Sequence, residues 1–287
     1  MLLFLFLDGV GLGTEDIAFN PFAVAKTPFL EHLLGGKLTD RLEPLISNHL
    51  VFRSLDARLG FDGLPQSATG QTTLITGKNG AAVMGRHYGP YPGPTLKAIL
   101  DQGTLFEASS CLANLYPPGY FKALEKGKQK MNVPVYAASK ADVTLRGLEA
   151  YRANFAISAE LTGEYLHSKD SSLPKHSPYV SGKHLAQLAN QYPFTFFDFW
   201  LSDQAGHRWA FADCIKLIEQ LDEFIKGVVE HLGDTLLLIT SDHGNLEDKS
   251  AKTHTLNPVP LMVVGQQAPS FAGLQSLLEV APAVHLL

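Results

Sequence analysis

The chain has 287 residues, 45% of them apolar and 18% charged, and its 28 acidic and 23 basic side chains give a net charge of −5. This composition is typical of a globular protein with one large domain, and no basic block favours a nucleic acid or an anionic membrane as partner. Two isolated cysteines, Cys111 and Cys214, have neither metal-ligand spacing nor a disulfide pattern, so we expect free thiols in the reducing cytoplasm.

The first segment, Met1 to Leu7, is apolar but lacks a basic flank, and Asp8 interrupts it. It therefore predicts neither a signal peptide nor a membrane span. Residues 2–7 instead predict a buried strand, followed by three glycines within residues 9–13. These glycines are not a dinucleotide fingerprint, because no third glycine has the right offset and no helix opens behind them.

The rest of the chain predicts alternating strands and helices, which is typical of a three-layer α/β/α fold with a mostly parallel sheet. Strands are predicted at 2–7, 52–59, 110–115, 194–201, 236–240 and 261–264. Helices are predicted at 27–34, before Gly77, and at 95–101, 117–126, 182–191, 211–232 and 269–278. We expect a single domain over residues 1–287, with an ordered loop or lid at 78–94 and a small cap or insertion within about 78–180.

Acidic and histidine side chains follow directly on three of the predicted strands. Asp8 follows the first strand, Asp203 and His207 follow the strand at 194–201, and Asp242 and His243 follow the strand at 236–240. In an open α/β sheet, ligands bind beyond the carboxyl ends of the strands. Asp203 and His207 are four residues apart, so they lie on one face if this segment is helical.

Two further residues complete a set of seven. His254 lies in the loop between the last two strands, and Ser67 lies where a segment rich in small residues enters the helix that ends at Gly77. Each of the seven taken alone could be a helix cap or a hydrogen-bonded polar side chain. Their common position at one edge of the sheet favours a site for one or two divalent ions such as Zn²⁺ or Mn²⁺.

The order of these residues resembles the alkaline phosphatase superfamily, and in particular its branch related to cofactor-independent phosphoglycerate mutase. The motifs DHGN at 242–245 and HTLNPVP at 254–260 carry the resemblance most specifically. The resemblance implies one metal held by Asp203, His207 and His254, and a second metal held by Asp8, Ser67, Asp242 and His243.

The resemblance also implies a hydroxyl nucleophile about ten residues before the glycine that ends its helix. Counting back from Gly77 gives Ser67, with Thr69 as the alternative. The chain departs from the mutase in two respects. Only about a hundred residues separate this helix from the strand at 194–201, too few for the large inserted domain of the mutase, and Gln71 stands where the mutase has a histidine.

The resemblance implies a phosphoryl-transfer enzyme with two Mn²⁺ or Zn²⁺ ions, acting on a small phosphorylated substrate. We expect a phosphomonoester hydrolase that works through a phosphoserine at Ser67. A phosphomutase is the alternative, and a non-catalytic metal-binding protein is a third reading. Arg86, Lys140 and Arg146 are candidates for binding substrate anions, although each can equally be a solvated surface base.

Overall fold

The computed structural model describes residues 1–287 and has a seven-stranded sheet at its centre. Across the sheet the strands lie in the order β2-β3-β7-β6-β1-β5-β4. The strands are β1 (Leu2–Leu7), β2 (Leu45–Ile46), β3 (Leu50–Leu55), β4 (Cys111–Leu112), β5 (Phe194–Phe199), β6 (Leu236–Thr240) and β7 (Val259–Val264).

Five of the seven strands point in the same direction. The strand β1 is parallel to β5 and β6, and β4 is parallel to β5. The strand β7 is antiparallel to both β6 and β3, so β3 shares the direction of the parallel group, and only β2 and β7 are reversed. This arrangement confirms the predicted α/β class with a mostly parallel sheet.

Helices cover both faces of the sheet. They are α1 (Pro21–Val24), α2 (Pro28–Leu34), α3 (Ser67–Thr76), α4 (Gly80–Met84), α5 (Pro94–Leu100), α6 (Pro118–Glu125), α7 (Val133–Lys140), α8 (Leu148–Arg152), α9 (Glu164–Lys169), α10 (Pro178–Ala189), α11 (Leu201–Arg208), α12 (Phe211–Val229) and α13 (Val280–His285). Apolar residues of α3, α5, α7 and α13 form one core with Phe4 and Phe6, while those of α10 and α12 form a second core with Leu3 and Leu5. Alternate residues of β1 therefore enter opposite cores, as the pleat of a strand requires.

The sequence located most elements but misplaced some boundaries. The strand predicted at 52–59 is β3, which ends at Leu55, and the one predicted at 110–115 shrinks to the two residues of β4. The helix predicted at 269–278 is wrong: two short 3-10 turns, Ala268–Phe271 and Leu277–Glu279, precede α13. The predicted loop at 78–94 contains α4.

Residues 127–180 carry the short helices α7, α8 and α9. Tyr151, Ala156 and Leu173 form a small apolar cluster there, apart from the two main cores. The division into one domain with a cap within about 78–180 stays a prediction. None of the helices combines the length and the apolar character that crossing a bilayer requires.

Candidate metal centre

The register of the central strands brings Asp8 and Asp242 together. Phe6 on β1 lies opposite Thr240 on β6, so Asp8 and Asp242 occupy matching positions two residues beyond this pair. The backbone N–H of Gly9 donates to Oδ1 of Asp242 at 3.3 Å. Gly9 has φ 68°, and a Cβ there would lie 2.7 Å from Oδ1 of Asp203, so this position favours glycine for conformation and for space.

The helix α3 runs against these carboxylates. At Gly70 a Cβ would lie 2.8 Å from the Asp242 side chain, so the glycine permits the close approach of the helix. One turn from Ser67, the Gln71 amide Nε2 donates to Oδ2 of Asp242 at 3.0 Å and to Oδ2 of Asp8 at 3.3 Å. Gln71 therefore bridges two acidic side chains, a contact that sequence reasoning did not find.

Ser67 is the first residue of α3, and its hydroxyl faces His243. Ser67 Oγ lies 3.0 Å from Nε2 of His243, which in turn lies 3.5 Å from Oδ1 of Asp8 and 3.6 Å from Oδ2 of Asp242. The alternative residue, Thr69, donates its hydroxyl to the Gln66 carbonyl at 3.0 Å and is fully buried. Of these two hydroxyls, the one at Ser67 points into the carboxylate and imidazole cluster.

A second group forms around Asp203 on α11. Oδ1 of Asp203 lies 3.4 Å from Nε2 of His207 and 3.7 Å from Nε2 of His254. The helical turn predicted for Asp203 and His207 is present in α11. The ligand atoms of these three residues all lie within 4.8 Å of one another, and so do those of Asp8, Asp203 and His243. Asp203 therefore lies between the two groups, whereas the resemblance assigned it to only one of them.

The buried imidazoles are oriented so that Nε2 faces the acids. Nδ1 of His254 lies 2.7 Å from the Pro65 carbonyl, and Nδ1 of His243 lies 3.3 Å from the Gly244 carbonyl. A carbonyl only accepts, so each Nδ1 carries the proton and each neutral ring has a lone pair on Nε2. The two rings stack with centroids 3.7 Å apart. This tautomer is the one a metal ligand requires.

The electrostatics of the cluster favour the binding of a cation. Burial, together with the neighbouring Asp242 and Asp203 carboxylates, raises the pKa of Asp8 well above its usual range. Burial also raises the pKa of Asp242. Burial lowers the pKa of His243 well below its usual range, and the nearby His254 lowers it further. Buried carboxyl groups beside neutral imidazoles lack positive charge, and a divalent ion would supply it.

These residues fit a pair of divalent ions by the chemistry of their donors. Oδ1 of Asp8 is buried and has no hydrogen-bond partner. It lies within reach of His243 Nε2, and a cation would satisfy both atoms. Mixed carboxylate and imidazole donors suit Zn²⁺ or Mn²⁺.

A buried glutamate, Glu247, holds the loops that carry the acids. Oε2 accepts from the backbone N–H groups of Gly11 at 2.9 Å and Asn245 at 2.7 Å. Oε1 accepts from the Thr255 hydroxyl and from Nδ2 of Asn257 at 3.0 Å. Four donors thus stabilise the carboxylate without a basic partner. Glu247 connects the loop after β1 to the loop between β6 and β7.

We expect Glu247→Gln to lower the free energy of unfolding by about 2–3 kcal/mol, because an amide NH₂ would face two donors that now bind a carboxylate oxygen. Urea unfolding of the metal-free protein measures this loss. Glu223→Gln is the matched control, since Glu223 is exposed on α12 and makes no hydrogen bond. A Glu247→Gln midpoint equal to that of wild type would show that the network contributes nothing to stability.

Two other buried polar residues near the site were not predicted from the sequence. Asn245 donates through Nδ2 to Oδ1 of Asp203 at 2.6 Å and so orients that carboxylate. Asp198 on β5 is buried, accepts from Nδ2 of Asn132 at 2.9 Å, and has a pKa that burial raises to about 7. Asp198 was visible only as a polar break in an aromatic strand, and Asn245 only as part of the DHGN motif.

The three basic residues proposed from the sequence lie in different places. Arg86 is exposed and lines an open cavity of about 450 Å³ beside Gln66, the residue before Ser67. Lys140 forms a surface ion pair with Asp101 at 3.4 Å. Arg146 extends toward Tyr192, which precedes the amino end of β5. Of the three, only Arg86 lines a cavity next to the start of α3.

Part of the chain matches a known protein family. Residues 161–284 match the model of the Metalloenzyme superfamily. A 2,3-bisphosphoglycerate-independent phosphoglycerate mutase of Antithamnion sp. is 31% identical over 124 residues, which cover 39% of this chain and 24% of that protein. The chain is thus similar to the Metalloenzyme superfamily over 124 of its 287 residues. The segment matched in the curated relative thus spans about a quarter of that relative's length.

Solved structures with the same fold extend the structural likeness over nearly the whole chain. The PH0037 protein of Pyrococcus horikoshii has a TM-score of 0.53 at 16% identity, covering 98% of this chain and 96% of that one. A mutant alkaline phosphatase of the Antarctic bacterium TAB5, with Mg bound, has a TM-score of 0.50 at 12% identity, covering 99% and 96%. At these identities the likeness shows the fold alone. It therefore confirms the alkaline-phosphatase-like architecture predicted from the sequence.

Proposed function

We propose that this protein is a two-metal phosphoryl-transfer enzyme that hydrolyses small phosphomonoesters through a phosphoserine at Ser67. The observation that carries the proposal is the placement of Ser67 Oγ at 3.0 Å from His243 Nε2, among acids that need a cation. Asp203, His207 and His254 would hold one ion, and Asp8, Ser67, Asp242 and His243 the other. We propose Mn²⁺ or Zn²⁺ as the ions. Ions bound there would lower the pKa of the Ser67 hydroxyl and neutralise charge on the phosphoryl group.

The residues of the chain then have distinct tasks. Ser67 gives its proton to solvent and its Oγ attacks phosphorus, while the ester oxygen leaves with the bonding electrons and takes a proton from water. Water attacks the resulting phosphoserine from the side that the leaving group vacated, which releases phosphate and restores Ser67. Asn245 and Gln71 hold the carboxylates of Asp203, Asp8 and Asp242 in place. Of the three basic candidates, Arg86 lies nearest the start of α3 in the described cavities and is the one we propose to contact a substrate anion.

Exposure of the site favours hydrolysis over transfer within a bound substrate. The side chains of His207 and Asp203 are 32% and 21% exposed, so water reaches the group around Asp203. A mutase must exclude water from its phosphoenzyme. A phosphomutase is nevertheless the second candidate, because the curated relatives are named as phosphoglycerate mutases.

Two assays run in parallel test the proposal. The metal-loaded protein is expected to release phosphate from 4-nitrophenyl phosphate, and a coupled assay follows interconversion of 2- and 3-phosphoglycerate. Phosphate release without interconversion supports the hydrolase, and interconversion without release supports the mutase. A protein that binds divalent ions but turns over none of these compounds would contradict both and favour a non-catalytic metal-binding role.

A further inference from the structure

A second cavity lies at the end of the sheet opposite the metal centre. It encloses about 490 Å³, and Ser110, Asp142, Thr144, Arg146 and Tyr192 are its polar lining residues. Ser110 precedes β4 and Tyr192 precedes β5, so the cavity opens at the amino ends of the parallel strands. The metal centre lies at the carboxyl ends, and the six residues of β5 span about 20 Å between the two edges.

The guanidinium of Arg146 is held rigidly in the wall of this cavity. One terminal nitrogen donates to the Phe155 carbonyl at 2.9 Å, and the other donates to the Tyr192 hydroxyl at 2.9 Å. The guanidinium also lies 5.3 Å from the centre of the Tyr192 ring. The backbone of Arg146 is fixed as well, because its carbonyl accepts from the N–H of Tyr116 at 2.8 Å. The charge is therefore preorganised.

No anion of the chain neutralises this guanidinium. Arg146 forms no ion pair with any carboxylate, and the polar side chains beside its guanidinium are the Cys111 thiol and the Tyr192 hydroxyl. A partly buried charge normally has a counterion. One anionic group in the cavity would supply it.

Other donors of the lining suit the same ligand. The Ser110 hydroxyl accepts from the Glu107 N–H at 2.8 Å, and the Tyr192 hydroxyl accepts from Arg146, so each has its own proton free to donate. Asp142 is the one acidic side chain of the lining, and it is exposed. The apolar remainder, which includes Val143, Leu145 and Ala150, accommodates the body of a small organic molecule.

We propose that this Arg146 cavity is a binding site for a small phosphate or carboxylate anion, separate from the metal centre. Arg146 supplies the charge, and the hydroxyls of Tyr192 and Ser110 orient the anion. The site requires no divalent ion, which distinguishes it from phosphate binding near Ser67.

Calorimetric titration of the full chain tests the proposal, with inorganic phosphate in one arm and succinate in the other. The titrations are made on the metal-loaded protein and again after chelation, which removes binding at the metal centre. We expect saturable binding of at least one anion to survive chelation. Protection of residues 142–147 from hydrogen exchange by that anion would locate it. The arm that binds identifies the head group as phosphate or carboxylate, and failure of both arms overturns the proposal.

Four variants sharpen the test. Arg146→Gln should abolish binding, but it also removes contacts to Phe155 and Tyr192 and can destabilise the fold. Thr144→Glu avoids that problem, because Thr144 is exposed in the lining and a carboxylate there occupies the site. We expect it to weaken binding at least about tenfold. Asp142→Asn should tighten binding about twofold to fivefold at low salt, because it removes a repulsive charge.

The control Gln187→Glu adds the same charge at an exposed position of α10, away from the cavity. It should leave the dissociation constant within a factor of two. Equal weakening by Gln187→Glu and Thr144→Glu would show non-specific attraction and overturn the proposal. Thr144→Glu should retain phosphatase activity. Loss of anion binding at the Arg146 cavity is then distinguished from a failure of the proposed catalytic function.

Discussion

Substituting alanine for Ser67 is expected to lower the turnover of 4-nitrophenyl phosphate by at least about a thousandfold. The variant retains the carboxylates and imidazoles of the centre, so it should still bind divalent ions. It loses the oxygen that accepts the phosphoryl group. Release of 4-nitrophenol over time measures turnover. Acid quenching of the wild-type reaction, followed by peptide mass spectrometry, locates the bound phosphate, which we expect on Ser67.

The control for the assignment of Ser67 as nucleophile is Thr69→Val, which keeps the shape of the side chain and removes the hydroxyl. Thr69 donates to the Gln66 carbonyl and accepts from the N–H of Tyr88 at 3.3 Å, so its role is to support the start of α3. We expect a loss of activity below about tenfold, consistent with a small structural disturbance. Phosphate on Thr69, or wild-type turnover by Ser67→Ala, would show that the nucleophile is misassigned.

Replacing Asp242 with asparagine should remove the ion next to Ser67 and reduce activity by about three orders of magnitude or more. The amide is nearly isosteric and can still accept from Gln71, so the fold should survive. Metal-free Asp242→Asn should be close in stability to the metal-free wild type, because removal of a buried charge offsets the loss of one of the two acceptors for Gly9 and Gln71.

Two measurements separate metal loss from misfolding. Elemental analysis should find one fewer ion per chain than in wild type, and the thermal midpoint should rise less on addition of Mn²⁺ or Zn²⁺. Asp234→Asn is the control, since this acid is exposed just before β6. Undiminished metal content and activity in Asp242→Asn would remove Asp242 from the ligand set.

The positions of several site residues could be predicted because the end of a strand and the spacing along a helix depend only on the local sequence. The apolar run at 236–240 fixes where β6 stops, and the position of Asp242 at the sheet edge follows directly. The same logic applies to Asp8 after β1. The four-residue spacing of Asp203 and His207 likewise depends only on helix geometry, and α11 provides it.

Other parts of the site depend on contacts between distant segments. Glu247 resembles a solvated loop charge in the sequence, yet it is 1% exposed because donors from residues 11, 245, 255 and 257 converge on it. Gln71 is one of several polar residues in α3, and only the packing of that helix on β1 and β6 shows that it bridges two acids. Arg146 resembled any surface base, and its distance from Ser67 follows from the chain path through residues 127–180.

The central strand β1 precedes both of its neighbours, β5 and β6, in the chain. Leu2 pairs with Phe194 and with Leu236, so roughly 190 residues must follow β1 before its first partner exists. At about 5–20 residues per second, that interval is about 10–40 s on the ribosome. During this time LLFLFL, which is fully buried in the native sheet, has two unpaired edges and no charge to discourage pairing with other chains. Growth at low temperature with abundant chaperone should therefore raise the native yield, and a chain that ends before β6 cannot complete the strand pair that holds Asp8.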